Sequence, residues 1–244
     1  MGMAESKVAL VVGAGEATGG AIARRFAREG YAACVTRRSA DKLAPLVERI
    51  RAEGGSARAF GSDARREDEV AGLVQTIERE VGPIEVCVFN VGGNVRFPIR
   101  ETTERVYRKV WEMAALAGFL VGREAARVMA PRGRGTILFT GATASLRGGK
   151  GFAAFAGAKF ALRALAQSMA RELGPEGIHV AHVVIDGAID TPFIRENFPE
   201  RYRLKEQAGI LDPEAIADNY WRLHSQPRSA WTHELDLRPW MESW

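Results

Sequence analysis

Short apolar runs alternate along the chain with longer segments of helical spacing. The runs are too short and too rich in β-formers for helices, and several of the longer segments end at glycine. Strands are predicted at 8–12, 32–36, 57–60, 85–89, 136–139, 180–185 and, from a weaker pattern, 232–237. Helices are predicted at 18–29, 41–52, 67–81, 103–129 and 152–173. This order is typical of an α/β fold, a doubly wound parallel sheet of seven strands with helices on both faces.

The alternation occupies nearly the whole chain, which predicts a single domain over residues 1–244. Between residues 191 and 228 the alternating pattern gives way to a mixture of charged and aromatic residues. We expect this segment to be a mobile substrate lid over the sheet edge where ligands bind, with a pair of ordinary surface helices as the alternative.

Composition narrows the class of protein. The 244 residues include only two cysteines, Cys34 and Cys87, both in apolar runs, so a disulfide scaffold is excluded and a cytoplasmic location is expected. The net charge of +4 is interspersed with acidic residues and forms no basic block, which argues against nucleic acid as a partner. No apolar run reaches the roughly 20 residues of a membrane span, so no membrane partner is expected.

The sequence predicts neither a lipid-attachment site nor a metal site. Met1-Gly2 followed by Ser6 matches a myristoylation pattern, but we expect Met3 to be the natural start. No metal is predicted, because metal-ligand spacing is absent from the four histidines, His179, His182, His224 and His233.

A glycine-rich turn follows the first predicted strand. It runs Gly13-Ala14-Gly15-Glu16-Ala17-Thr18-Gly19-Gly20 and leads into a helix. Unpaired backbone N–H groups and the helix dipole would point at a phosphate there, so the turn predicts a dinucleotide cradle in a Rossmann-type fold. Such a turn is weak support by itself, since any tight turn can contain glycines, but the preceding strand and following helix strengthen it.

The motifs along the chain resemble those of the short-chain dehydrogenase/reductase family, from Lys7 to about Pro239. After the glycine turn come Asp63 and Ala64, Asn90 and Gly92, the helical Lys159, and then Gly187, Ile189 and Thr191. The resemblance implies an oxidoreductase with a nicotinamide cofactor and a small-molecule substrate. It implies that Asp63 holds the adenine amino group, that Asn90 and Gly92 flank the adenine and ribose, and that Thr191 binds the nicotinamide carboxamide.

The end of the second strand predicts NADP(H) rather than NAD(H) as the cofactor. Arg37 and Arg38 stand where a guanidinium would pair with a 2′-phosphate, with a solvated turn as the alternative. Glu16 would repel that phosphate unless it pairs with one of the arginines. Ala17 replaces a glycine usual in the family, and at a positive φ it would cost about 1–2 kcal/mol, so weakened cofactor binding is expected.

The family's catalytic groups are present only in part. The resemblance implies a tyrosine four residues before Lys159, where the lysine lowers its pKa and holds the nicotinamide ribose, but that position holds Phe155. Ala142 and Ala115 stand in the places of a serine and an asparagine. Phenylalanine has no proton to exchange, so ordinary carbonyl reduction through these groups is excluded and the chain is assigned to an atypical subgroup.

Thr143 and Asp186 are the candidate replacements beside Lys159. Asp186 could pair with Lys159 or His182 and serve as an acid or base, although a turn role is the favoured interpretation. Three functions stay open: an NADP(H)-binding oxidoreductase for a carbonyl or alcohol substrate, an inactive nucleotide-binding sensor or scaffold subunit, and a non-redox isomerase or dehydratase using Lys159 and Asp186. The Ala- and Gly-rich helix around Lys159 predicts a homo-oligomer, a dimer or tetramer.

Overall fold

Seven strands form one parallel sheet, which confirms the predicted doubly wound α/β fold. The computed structural model describes residues 7–243, so the expectation for Met1 and Gly2 lies outside the described residues. The strand order is β3-β2-β1-β4-β5-β6-β7, and no predicted strand boundary differs by more than two residues. The strands are β1 Val8–Val12, β2 Ala32–Arg37, β3 Ser56–Gly61, β4 Ile84–Phe89, β5 Gly135–Thr140, β6 Ile178–Ile185 and β7 Glu234–Leu237.

Helices cover both faces of the sheet. One face packs against Phe26 of α1 and Ile50 of α2, and the other packs against Ile77 of α3, Val121 of α5 and Leu162 of α6. Within residues 7–243, no helix combines the length and apolar composition needed to cross a membrane. The helices are α1 Thr18–Arg28, α2 Ala44–Ala52, α3 Glu67–Glu80, α4 Glu104–Trp111, α5 Ala117–Met129, α6 Ala153–Leu173, α7 Pro192–Asn197, α8 Pro199–Tyr202 and α9 Pro213–His224.

The single helix predicted over 103–129 is divided in the structure. A π-helical segment, Glu112–Leu116, separates α4 from α5. It contains Ala115, which is buried. Hydrophobic spacing cannot distinguish this hydrogen-bond pattern from an α-helix, although single π-turns are frequent at functional sites.

The lid predicted over 191–228 is wrong for its second half. Helix α9 packs against α1 and belongs to the core, with Ile216, Tyr220 and Leu223 at most 2% exposed. The Tyr220 hydroxyl lies 2.7 Å from Thr140 Oγ1 of β5, which fixes the helix to the sheet. These apolar positions have helical spacing and outweigh the charged residues between them. The segment before α9, which includes α7 and α8, is largely exposed, and its role as a lid stays a prediction.

Candidate functional site

The strand order reverses between β1 and β4, and ligands of such sheets bind in the crevice at this point. The glycine-rich turn lies there between β1 and α1. Gly13 has φ +87°, and a Cβ on Gly19 would lie 2.8 Å from the Gly13 carbonyl oxygen. A Cβ on Gly15 would meet nothing within 4 Å. The turn is therefore closed on its inner side and has open space beside Gly15, which fits a phosphate.

Ala17 has a negative φ at the start of α1. Its φ is −89°, so the strain considered for a positive φ is absent. Ala17 is the N-cap and its side chain makes no capping hydrogen bond, while Thr18 begins the helix and is buried. The first N–H groups of α1 therefore have no side-chain cap at Ala17 and can serve an anion.

Asn90 ties the end of β4 to the glycine turn. Its Nδ2 donates to the Gly13 oxygen at 3.1 Å, and its backbone N–H donates to the Val12 oxygen at 2.8 Å. Gly92 follows in the same loop, where a Cβ would lie 3.8 Å from Lys159 Nζ. The sequence-predicted pair after β4 thus lies between the cradle and the lysine.

Asp63 is already engaged by Arg65, a contact that the motif resemblance does not indicate. Arg65 donates to both carboxylate oxygens of Asp63, at 2.9 Å from Nε and 2.5 Å from Nη2. This pairing lowers the pKa of Asp63, with a smaller contribution from the charge of Arg38. Ala64 is buried in the core beside it.

Arg37 is the last residue of β2 at the same crevice, and Arg38 follows it and is exposed. Neither arginine forms an ion pair with any residue between 7 and 243, and neither does the exposed Glu16. The compensating pair between Glu16 and an arginine is therefore not formed. Both cations keep their charge available for an anion.

Lys159 lies on α6 with its side chain fully enclosed. Its Nζ donates to the Thr140 oxygen at 2.8 Å and more weakly to the Val91 oxygen at 3.4 Å. Burial lowers the pKa of Lys159 to about 8. The Phe155 ring, one helical turn earlier, has its centroid 6.0 Å from Nζ.

An apolar wall occupies the positions where the resemblance implies tyrosine and serine. Phe155 is 9% exposed and packs in one cluster with Val110, Ala114 and Ala144, with Ala142 against its edge. These side chains contain no hydroxyl or amide group. These side chains can neither donate nor accept a proton.

Asp186 is the buried acceptor of a polar cluster at the ends of β5 and β6. Thr143 Oγ1 donates to its Oδ1 at 2.5 Å, and Arg147 Nη2 donates to both oxygens at 3.3 Å. Arg238 Nη2 lies 3.9 Å from Oδ2. The pairing of Asp186 with Lys159 or His182 is wrong, because His182 instead contacts a glutamate of β7 and Asp186 has these closer partners.

The segment after β6 brings the last predicted cofactor residues to the same edge. Gly187 has φ +151°, and Ile189 pairs with Leu211 in an isolated parallel bridge. Thr191 is the N-cap of α7, where its Oγ1 accepts from the Ile194 N–H at 3.2 Å. Within residues 7–243 its hydroxyl proton has no acceptor.

A family model described as short chain dehydrogenase matches residues 7–201, the span that contains the turn, Asn90 and Lys159. The chain belongs to the short-chain dehydrogenase family. It is therefore an oxidoreductase by family, and the Rossmann-type nucleotide-binding fold expected from the sequence is confirmed.

Relatives of this short-chain dehydrogenase cover most of its length. Gluconate 5-dehydrogenase of Gluconobacter oxydans (strain 621H) is 32% identical over 172 residues, 70% of this chain and 67% of that protein. A short-chain dehydrogenase structure from Rhodopseudomonas palustris is 52% identical with a TM-score of 0.83, covering 98% of this chain and 100% of that one. A metagenomic short-chain oxidoreductase in complex with NADP is 25% identical with a TM-score of 0.83, covering 96% and 97%.

Three arginines of the site were not predicted from the sequence. Arg65 had a usable signal, because aspartate side chains often bond to the backbone two residues on, and Arg65 N–H does donate to Asp63 at 3.1 Å. No sequence pattern indicates Arg147 or Arg238, because only the pairing of β5, β6 and β7 brings them to Asp186. Among residues 7–243 no group of three or more metal-binding side chains comes together.

Proposed function

We propose that this short-chain dehydrogenase is an NADP(H)-dependent oxidoreductase that interconverts a small carbonyl compound and its alcohol, with Lys159 moving the proton in place of the absent tyrosine. The observation that carries the proposal is the position of Lys159. Two of its three N–H groups are used by Thr140 and Val91 among the described residues, and the third is left for a cofactor or substrate oxygen.

The residues of the crevice fit a nicotinamide dinucleotide. Gly13 and Gly19 shape the cradle that leaves open space for the diphosphate, and Arg37 and Arg38 offer two unpaired cations for a 2′-phosphate. Lys159, Thr191 and the loop with Asn90 would hold the ribose and nicotinamide end, where the bound cofactor supplies or accepts the hydride. The NADP complex of the metagenomic relative supports the preference for NADP(H).

The pKa of Lys159 suits proton donation near neutral pH. Because burial lowers this pKa to about 8, the ammonium form still predominates at pH 7 and releases its proton more readily than an exposed lysine. In the direction of carbonyl reduction, activity is expected to fall as the pH rises through about 8, since the donor form is lost. Without the tyrosine, turnover is expected to be slower by about 10²–10⁴-fold.

Thr143 and Asp186 are assigned a positioning role in this mechanism. The Thr143 proton is directed at Asp186, so the hydroxyl oxygen can accept a hydrogen bond but the hydroxyl does not face the substrate as a donor. Asp186 in turn holds Arg147 at the end of β5. The cluster fixes the turn that carries Ala142.

The proposal is tested by cofactor binding followed by turnover. NADPH is titrated by fluorescence, and a panel of carbonyl compounds is then offered to the natural protein, to Lys159→Met and to Phe155→Tyr combined with Ala142→Ser. We expect slow turnover by the natural protein, none by Lys159→Met and faster turnover by the double variant. Failure to bind dinucleotide at millimolar concentration would refute the proposal.

The apolar wall favours a second candidate, a nucleotide-binding sensor or scaffold subunit without turnover. Phe155, Ala142 and Ala115 remove every polar group that the resemblance implies at these positions. This candidate is supported if the natural protein binds NADPH but only the Phe155→Tyr, Ala142→Ser variant reduces a carbonyl.

We also propose a homo-oligomer built on α4, α5 and α6. These helices expose aromatic side chains that a second copy would cover, namely Tyr107, Trp111, Phe119 and Phe160. Light scattering at micromolar concentration is expected to give a dimer or tetramer, and a monomer would count against it. The cytoplasmic location stays a prediction from the two cysteines, whose thiol pKa values burial raises to about 12.

A further inference from the structure

Arg147 is a half-exposed cation in the loop after β5, at the carboxyl edge of the sheet where ligands of such folds bind. It follows the turn that carries Ala142 and Thr143, and its side chain is 40% exposed. Only Nη2 is engaged with a described residue, through its two hydrogen bonds of 3.3 Å to Asp186. Nε and Nη1 have no hydrogen-bond partner within residues 7–243, so most donors of the guanidinium stay available.

Asp186 fixes the position of this guanidinium. The carboxylate is 1% exposed and is itself held by Thr143 at 2.5 Å, so it forms a rigid support between β5 and β6. A guanidinium anchored by one nitrogen loses little further side-chain freedom when a ligand binds its other nitrogens. Arg147 is thereby held in place for an anion.

Two further cations, Arg96 and Lys150, lie near Arg147 at the mouth of the cleft, on the loops that follow β4 and β5. The loop after β4 is tied to the loop after β5, because Phe97 N–H donates to the Gly151 oxygen at 2.8 Å. Arg96 lies over the Phe152 ring at 5.9 Å, and Lys150 is exposed in the same loop as Arg147. Neither Arg96 nor Lys150 forms an ion pair with a described residue, so the mouth carries uncompensated positive charge.

We propose that the substrate of this enzyme carries a carboxylate, which binds Arg147 while its carbonyl or alcohol group lies near Lys159. A carboxylate can accept charge-assisted hydrogen bonds from the Nε–H or Nη1–H groups that Asp186 leaves free, and the charges of Arg96 and Lys150 attract it to the mouth. The substrate class is therefore an oxo acid or the corresponding hydroxy acid. This inference rests on the proposed function for its carbonyl, but the carboxylate site can be tested by binding alone.

The test compares each acid with its own neutral ester. Oxo acids with the carbonyl two to five carbons from the carboxylate are titrated beside their methyl esters into the free protein and into protein loaded with NADPH, followed by tryptophan fluorescence and thermal shift. Matched phosphate esters form a third arm. We expect at least one acid to bind about 10- to 100-fold more tightly than its ester, as for one charge-assisted pair.

Three variants distinguish a specific contact with Arg147 from a general effect of the protein's charge on acid binding. Arg147→Gln is expected to weaken acid binding about tenfold or more and to leave ester binding unchanged, and Arg96→Gln to weaken acid binding less without disturbing Asp186. Arg171→Gln, an exposed arginine at the far end of α6, is the control with the same charge change and no expected effect.

Each result decides the inference. It is overturned if no acid binds more tightly than its ester, if phosphate esters are preferred, or if Arg147→Gln weakens acid and ester equally. If acids bind through Arg147 but NADPH does not bind, the carboxylate site stands and the proposed oxidoreductase function fails.

Discussion

The substitution Gly15→Ala separates stability from cofactor binding at the glycine turn. Gly15 does not have a left-handed φ, and an added Cβ meets nothing within 4 Å, so the folded protein accommodates the methyl group. Removing a glycine from the unfolded chain then raises the free energy of unfolding by about 0.4–1 kcal/mol. The same methyl group occupies the space assigned to the cofactor diphosphate.

The expected loss of affinity follows from the hydrogen bonds that the methyl group displaces. A backbone N–H to a charged phosphate contributes about 1.5–3 kcal/mol, so losing one such bond raises the Kd for NADPH about 10- to 100-fold. The control is Gly72→Ala on α3, where a Cβ also meets nothing within 4 Å. It should raise stability by about 1 kcal/mol and leave affinity unchanged.

The assay is urea unfolding together with a fluorescence titration of NADPH for the natural protein and both variants. Opposite changes in stability and affinity for Gly15→Ala, with unchanged affinity for Gly72→Ala, support the cradle. Unchanged affinity in Gly15→Ala refutes the placement of the diphosphate at this turn.

Three further predictions concern cofactor choice, pH and the core. The double substitution Arg37→Ala, Arg38→Ala should weaken NADPH binding about 10- to 100-fold and leave NADH unchanged in parallel titrations; equal losses for both would contradict the 2′-phosphate assignment. Burial lowers the pKa values of His182 and His224 to about 4 in the folded protein. As the pH falls, these histidines are therefore protonated in the unfolded chain, at about pH 6.5, before they are protonated in the folded protein. The free energy of unfolding consequently decreases between about pH 6.5 and about pH 4. His182 accounts for roughly 3 kcal/mol of this loss, and urea unfolding at pH 4.5 and 7 should show a smaller pH effect in His182→Leu; an unchanged one counts against it. Tyr220→Ala should destabilise the fold by about 3–5 kcal/mol through a cavity without changing NADPH affinity, whereas a stability change below 1 kcal/mol would mean that α9 is not core.

The five inner strands were predictable because they are buried on both faces and so read as nearly continuous apolar runs. Val8–Val12, for example, is buried at every position. The edge strands β3 and β7, by contrast, are partly exposed. Helix α9 was misassigned because charge and aromatic content were weighed above the spacing of Ile216, Tyr220 and Leu223, which already marked one apolar face.

The order of the cofactor motifs could be read from the sequence, but their electrostatic partners could not. Asp186 has partners from the loop between β5 and α6 and from the residue after β7, which are distant from it in the chain. The space beside Gly15 and the normal φ of Ala17 are likewise properties of the folded backbone. Side-chain chemistry along a sequence shows which groups exist, whereas strand pairing decides which of them meet.

The glycine turn and the two arginines form the proposed NADP(H) site of this short-chain dehydrogenase. The most direct test of this site is a titration of the purified protein with NADPH and with NADH under the same conditions. Saturable binding that is tighter for NADPH is predicted, and the absence of binding at millimolar concentration, or tighter binding of NADH, would contradict the proposal.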